Sequence, residues 1–419
     1  MAKKQKSSFK KLTTRIKHDG RRFAIKAGVY SPVLKTKLFV NKMRYKYGKY
    51  NIGEKNYTLG VWPKESYENI IANKGEMEMP RYFVFEPTMR CNLTCDFCYQ
   101  KDSRALSDKH ELTFEQVTTI IDNLGSQIEH IFLIGSEIFM RKDIVEIIEY
   151  LDKKKIACSL ATNGTLITEQ MAKRILKCPN VVMIWMSIDG IEELHNKLRG
   201  SVSAFKRTTK ALKMFAGKQN IGVNTVVMDT NLYQLKELIP LMHELGVPQI
   251  TFELEMFSNK SEFDNTMKTF GLTVEDMSML YSERTRPRYE IEELRSEWEK
   301  IQALSKKYGI VAEIKPPVSI YYDTFYKGNA RNDLTLMCRD WALCRIDCKG
   351  NVILCGQLKK KMGNLLEKPL SDVWNSEEFK KTRMQFLTHN MSDICKRCEK
   401  LCHVPGIEHK QIELAPMAN

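Results

Sequence analysis

Cys91, Cys95 and Cys98 stand within eight residues, in the stretch RCNLTCDFCYQ that runs from Arg90 to Gln100. Three thiolates spaced C-x3-C-x2-C are one ligand short of the closed tetrahedral set of a structural zinc site, which is usually built from C-x2-4-C pairs. A [4Fe-4S] cube held by three cysteines leaves its fourth iron free for a bidentate small molecule, so the missing thiolate becomes a substrate position. A plain electron-transfer cluster would want a fourth cysteine. Zinc and simple electron transfer are therefore the weaker readings of this loop.

The remaining thiols favour metal chemistry over disulfides. The chain of 419 residues has twelve cysteines, ten of them in two groups at 91–98 and 338–402. Its first residues, MAKKQKSSFKK, lead into no apolar secretory segment, and no apolar run approaches the ~20 residues needed to cross a bilayer. A cytoplasmic location is expected, where thiols stay reduced and clustered spacing points to metal or iron-sulfur ligation. Cys158 and Cys178 stand alone and read as small buried apolar residues.

The elements that must position the first group can be read around it. YFVFEP, a β-rich run, precedes the cysteines, and from Arg81 to about Pro317 such runs alternate with amphipathic helical patterns. TFEQVTTIIDNLG opens on a capping box of Thr113 and Gln116 and aligns Val117, Ile120, Ile121 and Leu124 on one face. HIFLIG, IACSLATNG, VVMIWMSIDG, IGVNTVVM and QITFELEM each precede another helical pattern. Six strand and helix pairs predict a parallel sheet covered by crossover helices. They are too few to close an eight-stranded barrel. The expected fold is α/β, a partial (β/α)6 TIM-like barrel with a lateral mouth and ligands at the C-terminal ends of its strands.

The expected boundaries are a basic arm over 1–50, a linker over 51–80, the barrel over 81–317 and a small cysteine-rich domain over 318–419. In the last, CRDWALCRIDCKGNVILCGQ reads as a hairpin turning at Lys349-Gly350-Asn351, and DVWNSEEFKKTRMQFL as a short helix. The insertion over 257–290 follows the sixth strand near the mouth and is the expected specificity element.

With the cysteines in this setting, the sequence resembles the radical S-adenosylmethionine (SAM) superfamily, whose pattern is C-x3-C-x2-C after strand one with an aromatic before the last cysteine, here Phe97. The resemblance implies that SAM chelates the open iron through its amino and carboxylate groups. One electron from the cluster then breaks a carbon-sulfur bond, giving methionine and a 5′-deoxyadenosyl radical that abstracts hydrogen from the substrate. LIGSEIF occupies the place of the family's Gly-Gly-Glu-Pro motif, which implies that Gly135, Ser136 and Glu137 hold the SAM amino group. Ser136 and Ile138 replace the second Gly and the Pro, and Ser is small enough for close backbone approach. The same resemblance puts Thr162 and Asn163 of SLATNG near the cofactor, Ser187 at the ribose, Asp189 at the end of strand four, and Arg199 on the SAM carboxylate, which a guanidinium binds bidentately. Alone, TNG and DG are ordinary turns and Arg199 a solvated charge. Their order at successive strand ends carries the likeness.

Cys338, eleven residues, Gly350, four residues, Cys355, then Cys395-x2-Cys398 resembles the auxiliary-cluster module called SPASM, or its shortened form, twitch. The full module binds two auxiliary [4Fe-4S] clusters, but the seven cysteines here are one short of two cubes. The resemblance therefore implies one auxiliary [4Fe-4S] cluster on Cys338, Cys355, Cys395 and Cys398, with Cys344 in reserve and Cys348 and Cys402 as bystanders. A zinc ribbon on the same four thiolates is the alternative. A radical SAM enzyme of this type also needs a reductase or a ferredoxin- or flavodoxin-type electron donor, and its relatives modify peptides or sugar-like alcohols.

The net charge of +15 is carried by one end. Residues 1–50 hold twelve Lys and four Arg against Asp19, and the remainder has 50 basic and 50 acidic residues. A neutral body with no aromatic-basic interleaving argues against nucleic acid and an RNA-modifying role. In the arm, Phe9, Leu12, Ile16 and Phe23 share one side of a helical pattern among the basic residues, which suits peripheral contact with an anionic membrane. A non-catalytic iron-sulfur or zinc protein that uses its arm to bind a partner is the competing reading.

Overall fold

The computed structural model describes residues 64–101, 110–278, 281, 287–315, 334–404 and 406–407. The basic arm, and with it the membrane expectation, lies outside them.

A helix, α1 (Lys64–Ala72), stands in the stretch expected as a linker and buries Tyr67 and Ile70. The chain then docks on the C-terminal module. Trp374 donates its indole N–H to the Glu78 carbonyl at 2.9 Å, and Arg383 donates to the Gly75 carbonyl at 2.9 Å. Residues 75–79 are thus tied to a module some 300 residues downstream.

The barrel strands follow in the expected alternation: β1 (Tyr82–Phe85), α2 (Phe114–Asn123), β2 (His130–Leu133), α3 (Ile144–Lys153), β3 (Ala157–Thr162), α4 (Glu169–Ile175) and β4 (Val181–Ser187). Both arms of the Thr113–Gln116 capping box are present, and the expected apolar face of α2 is buried. After β4 come α5 (Glu192–Arg199), α6 (Ala204–Phe215), β5 (Ile221–Val227), α7 (Leu238–Leu245), β6 (Gln249–Leu254), α8 (Lys260–Phe270), α9 (Ile291–Tyr308) and β7 (Val311–Lys315). The sequence pattern did not separate α5 from its loop, because His195 is the one buried residue of an otherwise polar helix. Nor did it mark β7, a strand of five residues that begins at Val311, just after the long α9 ends at Tyr308. The sheet therefore has a seventh parallel strand beyond the six expected, paired to β6 from Gln249↔Val311 to Glu253↔Lys315.

The C-terminal module supplies β8 (Leu336–Cys338), β9 (Cys344–Ile346), β10 (Asn351–Ile353), β11 (Lys361–Asn364), α10 (Leu370–Trp374), α11 (Glu377–Thr388) and β12 (Leu401–His403). The expected hairpin is β9–β10, with Gly350 at φ +84° in its turn, a left-handed value that favours glycine. The expected short helix is two helices, α10 and α11. β9 pairs in parallel with β1, Phe83↔Cys344 through Phe85↔Ile346, so the module continues the barrel sheet. One sheet of ten strands runs β11-β10-β9-β1-β2-β3-β4-β5-β6-β7 and is open at both ends. β8 and β12 form a separate two-stranded ribbon. With β1 to β7 parallel, all their C-terminal ends share one mouth.

Candidate active site

The cysteine loop leaves β1 at the mouth and is fixed at its stem. Arg90 makes a fork-to-fork pair with Glu111, Nε to Oε1 at 2.8 Å and Nη2 to Oε2 at 2.8 Å, and Thr88 hydrogen-bonds the same carboxylate. Behind it the buried Arg141 donates to the carbonyls of Pro87 and Leu112. Further along, Asn92 ties the loop to the end of β3: Asn163 Nδ2 donates to Asn92 Oδ1 at 3.0 Å, and Asn92 Nδ2 to Thr165 Oγ1 at 2.9 Å.

The expected SAM-contact residues meet at successive strand ends. Glu137, fully buried after β2, accepts from Thr162 Oγ1 at 2.7 Å, from the Asn163 N–H at 2.7 Å and from the Phe139 N–H at 3.1 Å. Burial holds its carboxyl above the usual range despite these three bonds. The structure thus makes Glu137 a brace between the β2 and β3 ends. Gly135 has φ +136°, and a Cβ there would meet the Thr88 carbonyl oxygen at 3.0 Å. Ser136 leaves its buried Oγ without a hydrogen-bond partner among the described residues.

Across the mouth, α5 delivers Arg199 to the end of β4, where its Nε donates to Asp189 Oδ2 at 2.5 Å. Its Nη1 lies 3.8 Å from Cys95 Sγ, and the guanidinium stands over the Phe97 ring, 5.1 Å from the centroid. Arg199 joins the cysteine loop to β4. Asp189 is fully buried; its second oxygen accepts from the Val226 N–H, while its own N–H donates to His195 Nδ1 at 3.1 Å. That bond requires the proton on Nε2, and burial lowers the imidazole to a pKa of about 4. Ser187 closes β4 beside Asn224 of β5.

The second thiol set also assembles. Cys338, Cys355, Cys395 and Cys398 influence one another electrostatically, and burial pushes each thiol up, Cys355 to about 12. Four such thiols become thiolates only beside a compensating positive charge, which an iron-sulfur cluster supplies. Cys344 faces Arg383 instead, and Cys348 lies near Asp347 and Glu111, both apart from this set. Among the described residues no three His, Cys, Asp or Glu side chains converge on one point as around a single ion. A cube does not ask for that, since each of its cysteines binds a different iron.

The sequence reading missed the charges that join the two loops. Arg345 of β9 donates from Nη1 to the fully buried Glu86 at 2.8 Å and from Nη2 to Asp340 at 3.0 Å. Lys359 also reaches Glu86, at 3.5 Å. Glu86 precedes the first cysteine group and Asp340 follows Cys338, so one guanidinium ties the stems of both thiol sets.

Comparison with known proteins agrees with this arrangement. Residues 85–228 match the model of the radical SAM superfamily, and residues 338–399 match that of the iron-sulfur cluster-binding domain SPASM. The chain thus carries a radical SAM domain and a SPASM domain. It is an enzyme whose cofactors are SAM, a SAM-binding [4Fe-4S] cluster and auxiliary iron-sulfur. It is similar to an AdoMet-dependent heme synthase of Methanosarcina barkeri, 26% identical over 336 residues that span 77% of this chain and 90% of that one. It is also similar to AlbA, the antilisterial bacteriocin subtilosin biosynthesis protein of Bacillus subtilis, 26% identical over 184 residues covering 43% and 41% of the two chains. The fold is shared with SuiB of Streptococcus suis. The SAM-bound form superposes with a TM-score of 0.56 over 80% of this chain and 73% of that one, and the form bound to precursor peptide SuiA with 0.53 over 80% and 74%, both at 16% identity.

Proposed function

We propose that this radical SAM SPASM protein cleaves SAM reductively at the loop of Cys91, Cys95 and Cys98 and abstracts hydrogen from an organic substrate held at the mouth of the sheet. The observation that carries the reading is the convergence of that loop, Arg199–Asp189 and the Glu137 brace on one set of strand ends. When bound there, a [4Fe-4S] cluster with SAM supplies a 5′-deoxyadenosyl radical.

The protein's own residues then have separate tasks. Cys91, Cys95 and Cys98 hold the cluster, and Arg199 sets a positive charge against the Cys95 sulfur while keeping N–H donors for the SAM carboxylate. Gly135 and Ser136 bring backbone and the unpartnered Ser136 hydroxyl to the SAM amino group, and Glu137 acts by fixing that backbone. Thr162 and Asn163 hold the Glu137 brace, Asp189 orients Arg199, and Ser187 lies toward the ribose. Cys338, Cys355, Cys395 and Cys398 hold one auxiliary [4Fe-4S] cluster, within a catalytic barrel over 81–317 and an auxiliary module over 318–419. A reductase or a ferredoxin- or flavodoxin-type protein supplies the electron in a cytoplasmic setting.

Two substrate classes have support. A peptide is favoured by AlbA, named for bacteriocin biosynthesis, and by SuiB, which was seen with its precursor peptide. A small molecule is favoured by the similarity to a heme synthase along 90% of that protein. Anaerobic reconstitution with SAM and dithionite should yield 5′-deoxyadenosine and methionine in equal amounts. Absence of both, with the clusters in place, would overturn the reading.

A further inference from the structure

Two cations at the mouth lack the partners that half-buried charges usually have. Along β6, Phe252 and Leu254 are buried, and Phe252 meets Trp298 of α9 edge-on. Alternation then turns Glu253 to the opposite, barrel-facing side. The register places Lys315 of β7 directly beside Glu253, at the C-terminal ends of both strands. From the C-terminal module, Arg339 follows Cys338 and Lys400 lies two residues after Cys398. The ribbon brings them together, the Arg339 N–H donating to the Lys400 carbonyl at 2.9 Å. These groups form one cluster, in which Lys315 senses Glu253, Glu399, Arg339 and Lys400.

Within the cluster, one pair is closed: Lys400 Nζ lies 2.5 Å from Glu399. Neither Lys315 nor Arg339 has a side-chain hydrogen bond or an ion pair within 4 Å of any described residue, and both are half-buried. Glu253, the acid beside Lys315 in the register, makes no ion pair with either cation within 4 Å, and burial works against the charged form of both partners, raising the Glu253 carboxyl and lowering the Lys315 ammonium.

We propose that Lys315 and Arg339, with Lys400 beside them, bind a carboxylate of the substrate between the Cys91–Cys98 loop and the C-terminal thiol set. A guanidinium fork and an ammonium suit an oxyanion. Glu399, the carboxylate paired with Lys400, favours a singly charged group over a phosphate dianion, because like charges repel. Arg339 and Lys400 also stand next to the proposed cluster ligands, where they would balance cluster charge. Lys315 stands on the barrel and is the residue that separates the two roles. The inference rests on the SAM-cleaving reading above and names the chemistry its substrate carries.

The test is isothermal titration of reconstituted full-length protein, saturated with SAM and without reductant. The probes are glutarate, glutaramide, inorganic phosphate, acetyl-Glu-Glu-amide and acetyl-Gln-Gln-amide. The acids should bind and the amides should not. Glutarate alone indicates a small carboxylate, and acetyl-Glu-Glu-amide binding more tightly indicates an acidic peptide. Lys315→Met should weaken acid binding by about tenfold or more while retaining iron and SAM binding. Arg339→Gln should do the same where its iron content stays intact. Equal binding of acid and amide, tighter binding of phosphate, no binding of either acid, or unchanged affinity in Lys315→Met would each overturn the site. If wild type binds and cleaves SAM but no acid binds, this inference alone fails; if SAM is not cleaved, the proposed function fails first.

Discussion

At the scale of single residues, Arg345 and His195 show how buried charge is managed around the mouth. Arg345 is 8% exposed and holds two carboxylates, Glu86 and Asp340, that have little access to water. Arg345→Met should therefore destabilise the protein by about 3–5 kcal/mol, since it strands two buried acids, and adding Glu86→Gln should recover part of the loss. Urea unfolding followed by circular dichroism measures both, and a loss under about 1 kcal/mol would show the network to be weak. His195 behaves in the opposite sense. Burial lowers its pKa to about 4, below the ~6.5 of an unfolded chain, so its contribution is complete above pH 6.5 and is lost as pH falls toward 4, by roughly 1.4 kcal/mol per unit. His195→Gln, which keeps an acceptor for the Asp189 N–H, should flatten stability between pH 6.5 and 4.5. An unchanged slope would assign the acid loss to other groups.

At the scale of elements, the decisive contact is β9 on β1. It converts the module into a continuation of the barrel sheet and covers an edge that the barrel alone would expose. A chain ending at residue 317 should therefore express as aggregate, where the full chain stays dispersed; a monodisperse barrel by size-exclusion chromatography would contradict this. The contact also marks how far the sequence could be read. The cysteine loop, the Thr113–Gln116 cap and the first six strands were legible because their signals are local, in spacing, capping and alternation. Glu86 and Arg345 were not, since they lie 259 residues apart and each alone is an ordinary charge. The α5 helix that delivers Arg199 was hidden by its polar surface, although Arg199 itself was singled out through its motif. Glu137 was singled out as well, but the hydrogen bonds that make it a brace between the β2 and β3 ends were not legible, since two of them come from Thr162 and Asn163 on the next strand.

At the scale of the whole molecule, charge and chemistry are segregated. The body is balanced and residues 1–50 hold the entire excess. No helix among the described residues is long and apolar enough to cross a membrane. Each Lys or Arg near an anionic surface contributes about 1 kcal/mol, so half of the arm's sixteen would suffice for peripheral binding that salt releases. Full-length protein should float with anionic liposomes at low salt, and a variant starting at Asn51 should not; equal recovery of the two would refute a membrane role.

On the function proposed above, the two thiol sets are independent centres with different work. Iron, sulfide and 5′-deoxyadenosine should be measured in parallel for reconstituted wild type and the Cys91→Ala, Cys95→Ala, Cys98→Ala triple variant. Wild type should hold about eight irons and the variant about four, since each cube has four, and the variant should form no 5′-deoxyadenosine. A single cluster or zinc in wild type, or SAM cleavage surviving in the variant, would rule out two independent clusters with these roles.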